Sequence, residues 1–74
     1  MFIVRIKIKQ VREEKKMSLR KMEEETGIER EYLADIENGK IPADEILFIE
    51  MLMIAEALAC NITDLYETQT LEIL

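Results

Sequence analysis

The stretch Met17–Lys40, MSLRKMEEETGIEREYLADIENGK, decides the fold of this 74-residue chain. It contains two short segments with helical spacing of apolar residues, joined at Thr26-Gly27-Ile28 and closed by Asn38-Gly39. Glycine adopts the left-handed backbone that ends many helices, and asparagine tolerates it better than most residues do. The stretch therefore predicts two short helices joined by a tight turn, around which the remaining residues pack.

Helix, glycine turn and helix within about twenty residues is the spacing of a helix-turn-helix unit, here over about residues 18–39. Ser18 is the expected N-cap of the first helix of the unit, because its hydroxyl can accept a first-turn N–H. Lys21 stands where a capping-box glutamate would be, so that motif is absent. The second helix is expected from Glu29. Its expected buried stripe consists of Tyr32, Leu33 and Ile36.

The first sixteen residues fit two interpretations. Val4, Ile6 and Ile8 alternate as in a strand, whereas the good helix formers that follow favour a helix. We expect Met1–Arg5 to be extended or frayed, and a first helix to run from about Ile6 to Lys16. Whether the segment from Val4 to Ile8 is strand or helix stays open at this level.

A fourth helix, rich in apolar residues, is expected from an N-cap at Asp44 to about Cys60. A helix at the rim of a small domain needs one apolar stripe, and Phe48, Leu52 and Met53 are left over once a stripe has been assigned. An unused apolar face favours a homodimer interface formed by these three residues. The alternative is a central helix that packs on several sides within one monomer.

The end of the chain is expected to add a final short helix over Asn61–Tyr66. The tail Thr68–Leu74 either frays or pairs with another segment. We therefore expect one domain over residues 1–74, with residues 1–5 and 68–74 as terminal segments.

Composition narrows the possible functions. The chain has no histidine and one cysteine, so neither a disulfide framework nor a Cys/His zinc site can form within it. It offers no nucleophile–base pair and no nucleotide-binding glycine pattern, so we expect no catalytic activity, metal or cofactor. No apolar run is long enough to span a bilayer, and Arg5, Lys7 and Lys9 interrupt any signal-peptide core. A cytoplasmic protein is expected.

The net charge of -6 is distributed unevenly along the chain. Residues 1–21 carry eight basic residues and two acids, a net charge of +6, whereas residues 22–74 carry two basic residues and fourteen acids, a net charge of −12. A basic face can therefore exist on an acidic protein, which is compatible with nucleic-acid binding. Solvated helix faces explain the same charges equally well.

Several short segments match one known family in order and spacing. They are Arg12-Glu13-Glu14, Met17-Ser18-Leu19, Glu24-Glu25-Thr26-Gly27-Ile28, Tyr32-Leu33, Ile36-Glu37-Asn38-Gly39-Lys40, Pro42, Ile54-Ala55-Glu56-Ala57-Leu58 and Asp64-Leu65. Over about residues 5–67 the chain resembles the phage-repressor type of helix-turn-helix protein, the Cro-repressor or XRE-like family. The resemblance implies an all-α, lambda-repressor-like bundle of about five short helices that binds double-stranded DNA as a homodimer and represses transcription.

The resemblance also assigns roles to individual residues. The positions that would read base edges are Glu29, Arg30, Glu31 and Asp35. The positions that would face DNA phosphates are Ser18 with Leu19 at the start of the second helix, together with Asn38 and Lys40. Arg12 and Glu37 would form a structural ion pair between the first and third helices.

The chain departs from that family in two respects. The front of the third helix is acidic, and carboxylates near phosphates weaken the attraction that dominates non-specific binding. The stretch between Lys40 and Ile54 is about four residues longer than expected, close to one helical turn, which predicts an extended fourth helix. The acidic front leaves a second function open, an antitoxin-like or anti-regulator module that binds a basic protein. No small-molecule effector can be named from the sequence.

Overall fold

The computed structural model describes residues 2–70, so the predictions for Met1 and for residues 71–74 lie outside the described chain. Within that range the chain forms four α-helices, two β-strands and two short 3₁₀ turns. The elements in order are β1 (Phe2–Ile6), α1 (Ile8–Glu14), α2 (Leu19–Thr26), α3 (Arg30–Glu37), a 3₁₀ turn (Ala43–Glu45), α4 (Phe48–Ala57), a 3₁₀ turn (Ile62–Leu65) and β2 (Tyr66–Thr70).

The two strands pair antiparallel and correct the expectation of an all-α protein. The register runs from Phe2 opposite Thr70 to Ile6 opposite Tyr66. The alternating residues of the first segment therefore form a strand, and α1 begins two residues later than expected. Lys7 N–H donates to the Leu65 carbonyl at 2.7 Å and closes the inner end of the sheet. Both segments expected to be terminal are thus paired wherever the structure describes them, because each supplies the other's backbone partners.

The core lies between the four helices and the inner end of the sheet. Each helix contributes to it, and the second 3₁₀ turn adds one residue. Its buried apolar side chains are Ile8, Val11, Met22, Leu33, Ile36, Met51, Ile54, Ala55, Leu58 and Leu65. Burying one such large aliphatic side chain contributes about 1.5–3 kcal/mol relative to leaving it in water. Three of these residues, Met22, Leu33 and Ile36, anchor the helix-turn-helix unit to the core.

The expected extension of the fourth helix is wrong. Asp44 lies in the first 3₁₀ turn, and α4 begins only at Phe48. Ile46, which packs partly buried against the core, has the extended backbone φ −79°, ψ 125° and separates the two elements. Glu50 then accepts the Leu47 N–H at 2.9 Å at the start of the helix. The helix propensity of this stretch alone would favour one long helix. The helix is interrupted because Ile46 is extended and packs against the core.

The expected final helix is a single 3₁₀ turn, Ile62–Leu65, followed directly by β2. Its start is held by the Asp64 carboxylate, which accepts the Asn61 N–H at 3.0 Å. The expected bundle of about five helices is therefore four α-helices and two 3₁₀ turns over residues 2–70. None of the helices in this part of the chain is long and apolar enough to cross a membrane.

Candidate nucleic-acid interface

The turn between α2 and α3 is built by Thr26 and Gly27. Gly27 has φ +75°, and its N–H donates to the Glu23 carbonyl at 2.8 Å. The buried Thr26 hydroxyl donates to the Met22 carbonyl at 2.8 Å and accepts the Ile28 N–H at 3.1 Å. These three hydrogen bonds hold the bend and so restrict the angle between the two helices.

The ends of the unit are capped by local hydrogen bonds. Ser18 Oγ accepts the Lys21 N–H at 3.0 Å, which confirms the predicted N-cap of α2. At the end of α3, Gly39 has φ +75° and its N–H donates to the Ile36 carbonyl, while Lys40 N–H donates to the Asp35 carbonyl at 2.9 Å. These two bonds form a Schellman motif, the arrangement that a glycine in this position permits.

Arg12 connects three segments around the unit. Its Nε and Nη2 donate to the two carboxylate oxygens of Glu37 at 2.6 and 3.0 Å, and its Nη1 donates to the Met17 carbonyl at 2.8 Å. The side chains of Arg12 and Glu37 are only 12% and 3% exposed. The hydrogen bond to Glu37 raises the pKa of Arg12 above its usual value despite the desolvation that opposes it. The ion pair implied by the resemblance is present and fixes α1 against α3.

The four predicted base-reading residues lie at the start and along α3. Glu29 precedes the helix and Arg30 begins it, while Glu31 and Asp35 are one turn apart and share a face. Asp35 lies 3.9 Å from the Lys40 ammonium, so one acid of this set is close to a predicted phosphate-facing residue. Glu29 and Glu31 are exposed.

The predicted phosphate-facing residues lie at the two ends of the unit. Ser18 is exposed at the start of α2, and Asn38 and Lys40 are exposed at the end of α3. Leu19, between Ser18 and the exposed Arg20, is half-buried and packs against the core instead.

Two residues near this surface were not identified from the sequence. Glu23 of α2 accepts both the backbone N–H and a guanidinium N–H of Arg30. Arg5 lies on β1, pairs with Glu67 across the sheet, and lines a shallow groove with Asn38 and Gly39. Neither contact has a local sequence signal, because each joins segments that only the fold brings together.

Intramolecular ion pairs engage several of the basic residues. Besides the pairs of Arg5, Arg12, Arg30 and Lys40, Lys21 lies 3.2 Å from Glu25 on the exposed side of α2. Within residues 2–70, four further exposed basic residues have no carboxylate within ion-pair distance. Lys9 lies on α1, and the other three, Lys15, Lys16 and Arg20, lie around the loop between α1 and α2.

An apolar surface lies around β1 and the start of α4. We call it the apolar face; it comprises Phe2, Val4, Leu47, Phe48, Ile49 and Leu52, each between 39% and 68% exposed. Phe2, Val4 and Phe48 line one groove of about 440 Å³, so the strand and the helix contribute to one continuous surface. Of the three predicted interface residues, Phe48 and Leu52 are exposed on this face, and Met53 is half-buried.

The chain matches the family described as "Helix-turn-helix domain" over residues 6–70, nearly its whole length. It belongs to that helix-turn-helix family, whose members as a class present the second helix of the unit to DNA. The resemblance seen in the sequence is thereby confirmed at the level of the family. A sequence comparison with individual curated proteins gives no match.

Proposed function

We propose that this protein is a sequence-specific regulator of transcription that binds double-stranded DNA as a homodimer, with α3 in the major groove. One observation carries the proposal: α2, the Gly27 turn and α3 form a capped helix-turn-helix unit, which the Arg12–Glu37 pair holds against α1. In this class of protein the second helix reads bases while the first crosses the backbone. The family match over residues 6–70 supports the same function.

The proposed contacts follow from position on the unit. Arg30, in the first turn of α3, would donate two N–H groups to guanine O6 and N7. Glu29 and Glu31 would accept from cytosine N4, the base-edge donor that suits a carboxylate. The phosphate contacts would come from the ends of the unit, through Ser18 and Asn38.

The proposed electrostatics differ from those of a strongly basic DNA-binding protein. Lys40 is close to Asp35 and Arg30 is paired with Glu23, so neither contributes a full charge to the attraction of phosphates. The remaining attraction for phosphates would come from three basic residues around the α1–α2 loop, Lys15, Lys16 and Arg20. Few neutralised phosphates mean weak non-specific binding and a shallow salt dependence, since the slope scales with the number of phosphates contacted.

The homodimer would form through the apolar face. Its six large apolar side chains are each 39–68% exposed, and a group of exposed apolar residues is typical of an interaction surface when they lie together. A two-fold axis through such a face would bury it against an identical copy.

The test begins with selection of a binding site from a pool of random duplexes, followed by anisotropy titrations of the selected duplex. We expect selection to converge on a site with two related half-sites, and affinity to fall as salt rises from about 50 to 200 mM. Arg30→Ala should remove the preference for one base pair in each half-site, a loss of about tenfold.

The matched control is Lys9→Ala, which removes one exposed positive charge from α1 and should leave the base preference unchanged. Failure of every duplex to bind at low salt, at protein concentrations where the dimer has formed, would contradict the proposal.

A second function is favoured by one observation, the exposed acids Glu29 and Glu31 at the start of α3. An antitoxin-like or anti-regulator module would use this surface to bind a basic protein. In that case Glu31→Gln would weaken binding to a lysine-rich test peptide and no duplex would be selected. Selection of a specific duplex would exclude this alternative.

A further inference from the structure

Glu23 of α2 binds Arg30 of α3 at two points. Its Oε2 accepts the Arg30 backbone N–H at 2.7 Å, and its Oε1 accepts the Arg30 Nη2 at 3.2 Å. The two side chains are 33% and 54% exposed, so the contact lies at the surface of the unit and is not buried. A single carboxylate therefore holds both the main chain and the side chain of the first residue of α3.

This contact replaces the usual cap of α3. The N-cap residue, Glu29, makes no side-chain hydrogen bond to the first turn. The first N–H of the helix is satisfied from another helix, by Glu23, and a carboxylate near a helix N-terminus is also favoured by the helix dipole. The start of α3 and the direction of the Arg30 side chain consequently depend on the same residue of α2.

The Arg30 guanidinium is about half exposed and has further donors besides the one that Glu23 binds. A guanidinium carries five N–H donors in a rigid plane, and Glu23 uses one of them. Fixing one edge of this plane restricts the orientation of the others before DNA arrives. Ordering a long side chain on binding costs conformational entropy, and a tethered arginine avoids part of that cost. The carboxylate also cancels much of the arginine charge. The orientation of Arg30 should therefore contribute more to base selection than its attraction for phosphates does.

We propose that Glu23 is the positioning residue that orients Arg30 toward a guanine and so sets the base preference of α3. The inference rests on the proposed DNA-binding function and deepens it, because it explains how an acidic helix-turn-helix unit can still select a base pair. Glu23 acts through Arg30 and does not itself touch DNA.

The chain provides a matched control on the same helix. Glu25 pairs with Lys21 within α2, at 3.2 Å, and both side chains are about half exposed. Glu23→Gln and Glu25→Gln thus remove the same charge from two positions of one helix turn, and only the first alters the contact with Arg30. The glutamine oxygen at position 23 can still accept the backbone N–H, which preserves the cap.

The experiment measures affinity for the selected duplex and for its variant in which the guanine of the Arg30 contact is replaced by adenine. We expect the wild type to prefer guanine by about tenfold or more, and Glu23→Gln to lose most of that ratio. Glu25→Gln should keep the ratio while raising affinity for both duplexes slightly, since it removes a negative charge.

Glu23→Asp separates position from charge. It keeps the carboxylate but shortens the side chain by one methylene, so the same loss of the guanine ratio is expected with no change in net charge. The melting temperature of each variant is measured by circular dichroism. If Glu23→Gln melts close to the assay temperature, Glu23→Asp provides the test in its place.

Retention of the wild-type ratio in both position-23 variants would overturn the inference, as would equal changes in Glu23→Gln and Glu25→Gln. The proposed function and the positioning role of Glu23 are contradicted by different results. A wild type with no base preference contradicts the proposed function. A wild-type preference that disappears in Arg30→Ala but persists in Glu23→Gln and Glu23→Asp contradicts the positioning role alone.

Discussion

At the residue scale, Arg12 and Glu37 hold the helix-turn-helix unit to the rest of the domain. Their bidentate contact and the Arg12 bond to the Met17 carbonyl satisfy the polar atoms that burial removes from water. A pair of this kind adds little compared with an apolar pair of the same shape, but losing one partner is costly. The reason is that the remaining charge stays buried without its counter-ion.

Glu37→Ala should therefore lower the free energy of unfolding by about 3 kcal/mol, a large share of the roughly 4–11 kcal/mol expected for a domain of this size. The melting temperature should fall by more than about 10 °C, since about 1 kcal/mol shifts it by about 4–8 °C in small domains. Thermal unfolding followed by circular dichroism measures both. Glu25→Ala, which breaks an exposed pair, should cost less than about 0.5 kcal/mol. Equal losses in the two variants would contradict the structural role of the Arg12–Glu37 pair.

At the element scale, the sequence predicts local features better than the arrangement of the elements. The caps at Ser18, Gly27 and Gly39 were predictable, because each depends on the conformations available to one residue type. The start of α4 was not predictable, because it depends on where Ile46 is buried. The same holds for β1, whose pattern fitted both a strand and a helix until its partner β2 was known.

Replacing Gly27 should lower the stability of the turn between α2 and α3. Its φ is +75°, and a Cβ added there would meet no atom within 4 Å, so Gly27→Ala changes only the backbone energy. We expect a loss of about 1–2 kcal/mol, the cost of placing an L-residue in the left-handed region. Gly27→Asn should lose less, since asparagine tolerates that region better. Urea unfolding of the two variants measures the difference, and identical midpoints would show that the turn relaxes away from this conformation.

At the scale of the whole molecule, the apolar face is the surface through which we propose that two copies of the chain associate. Side chains alternate along β1, so Phe2 and Val4 point toward α4 whereas Ile3 points to the opposite side of the sheet. Ile3 is also half exposed. The face is thus distinguished by its continuity with α4, since an exposed apolar residue alone is common on protein surfaces.

Phe48→Glu or Leu52→Glu should convert the proposed dimer into a monomer, because each places a charge on the apolar face. Sedimentation equilibrium over a range of protein concentrations measures the mass. Ile3→Glu is the matched control, with the same kind of substitution on the opposite side of the sheet, and should leave the dimer intact. A wild-type protein that sediments as a monomer throughout, or a dimer that survives both substitutions on α4, would rule out this interface.

The sequence by itself determined the helix-turn-helix unit, including the Gly27 turn and the Asn38-Gly39 end of α3, because these follow from the backbone preferences of single residues. Only the tertiary structure decided that the two ends of the described chain form a sheet, that α4 starts at Phe48, and that Glu23 holds Arg30. Each of these depends on which distant segments meet, and a contact between segments has no signature in either one taken alone.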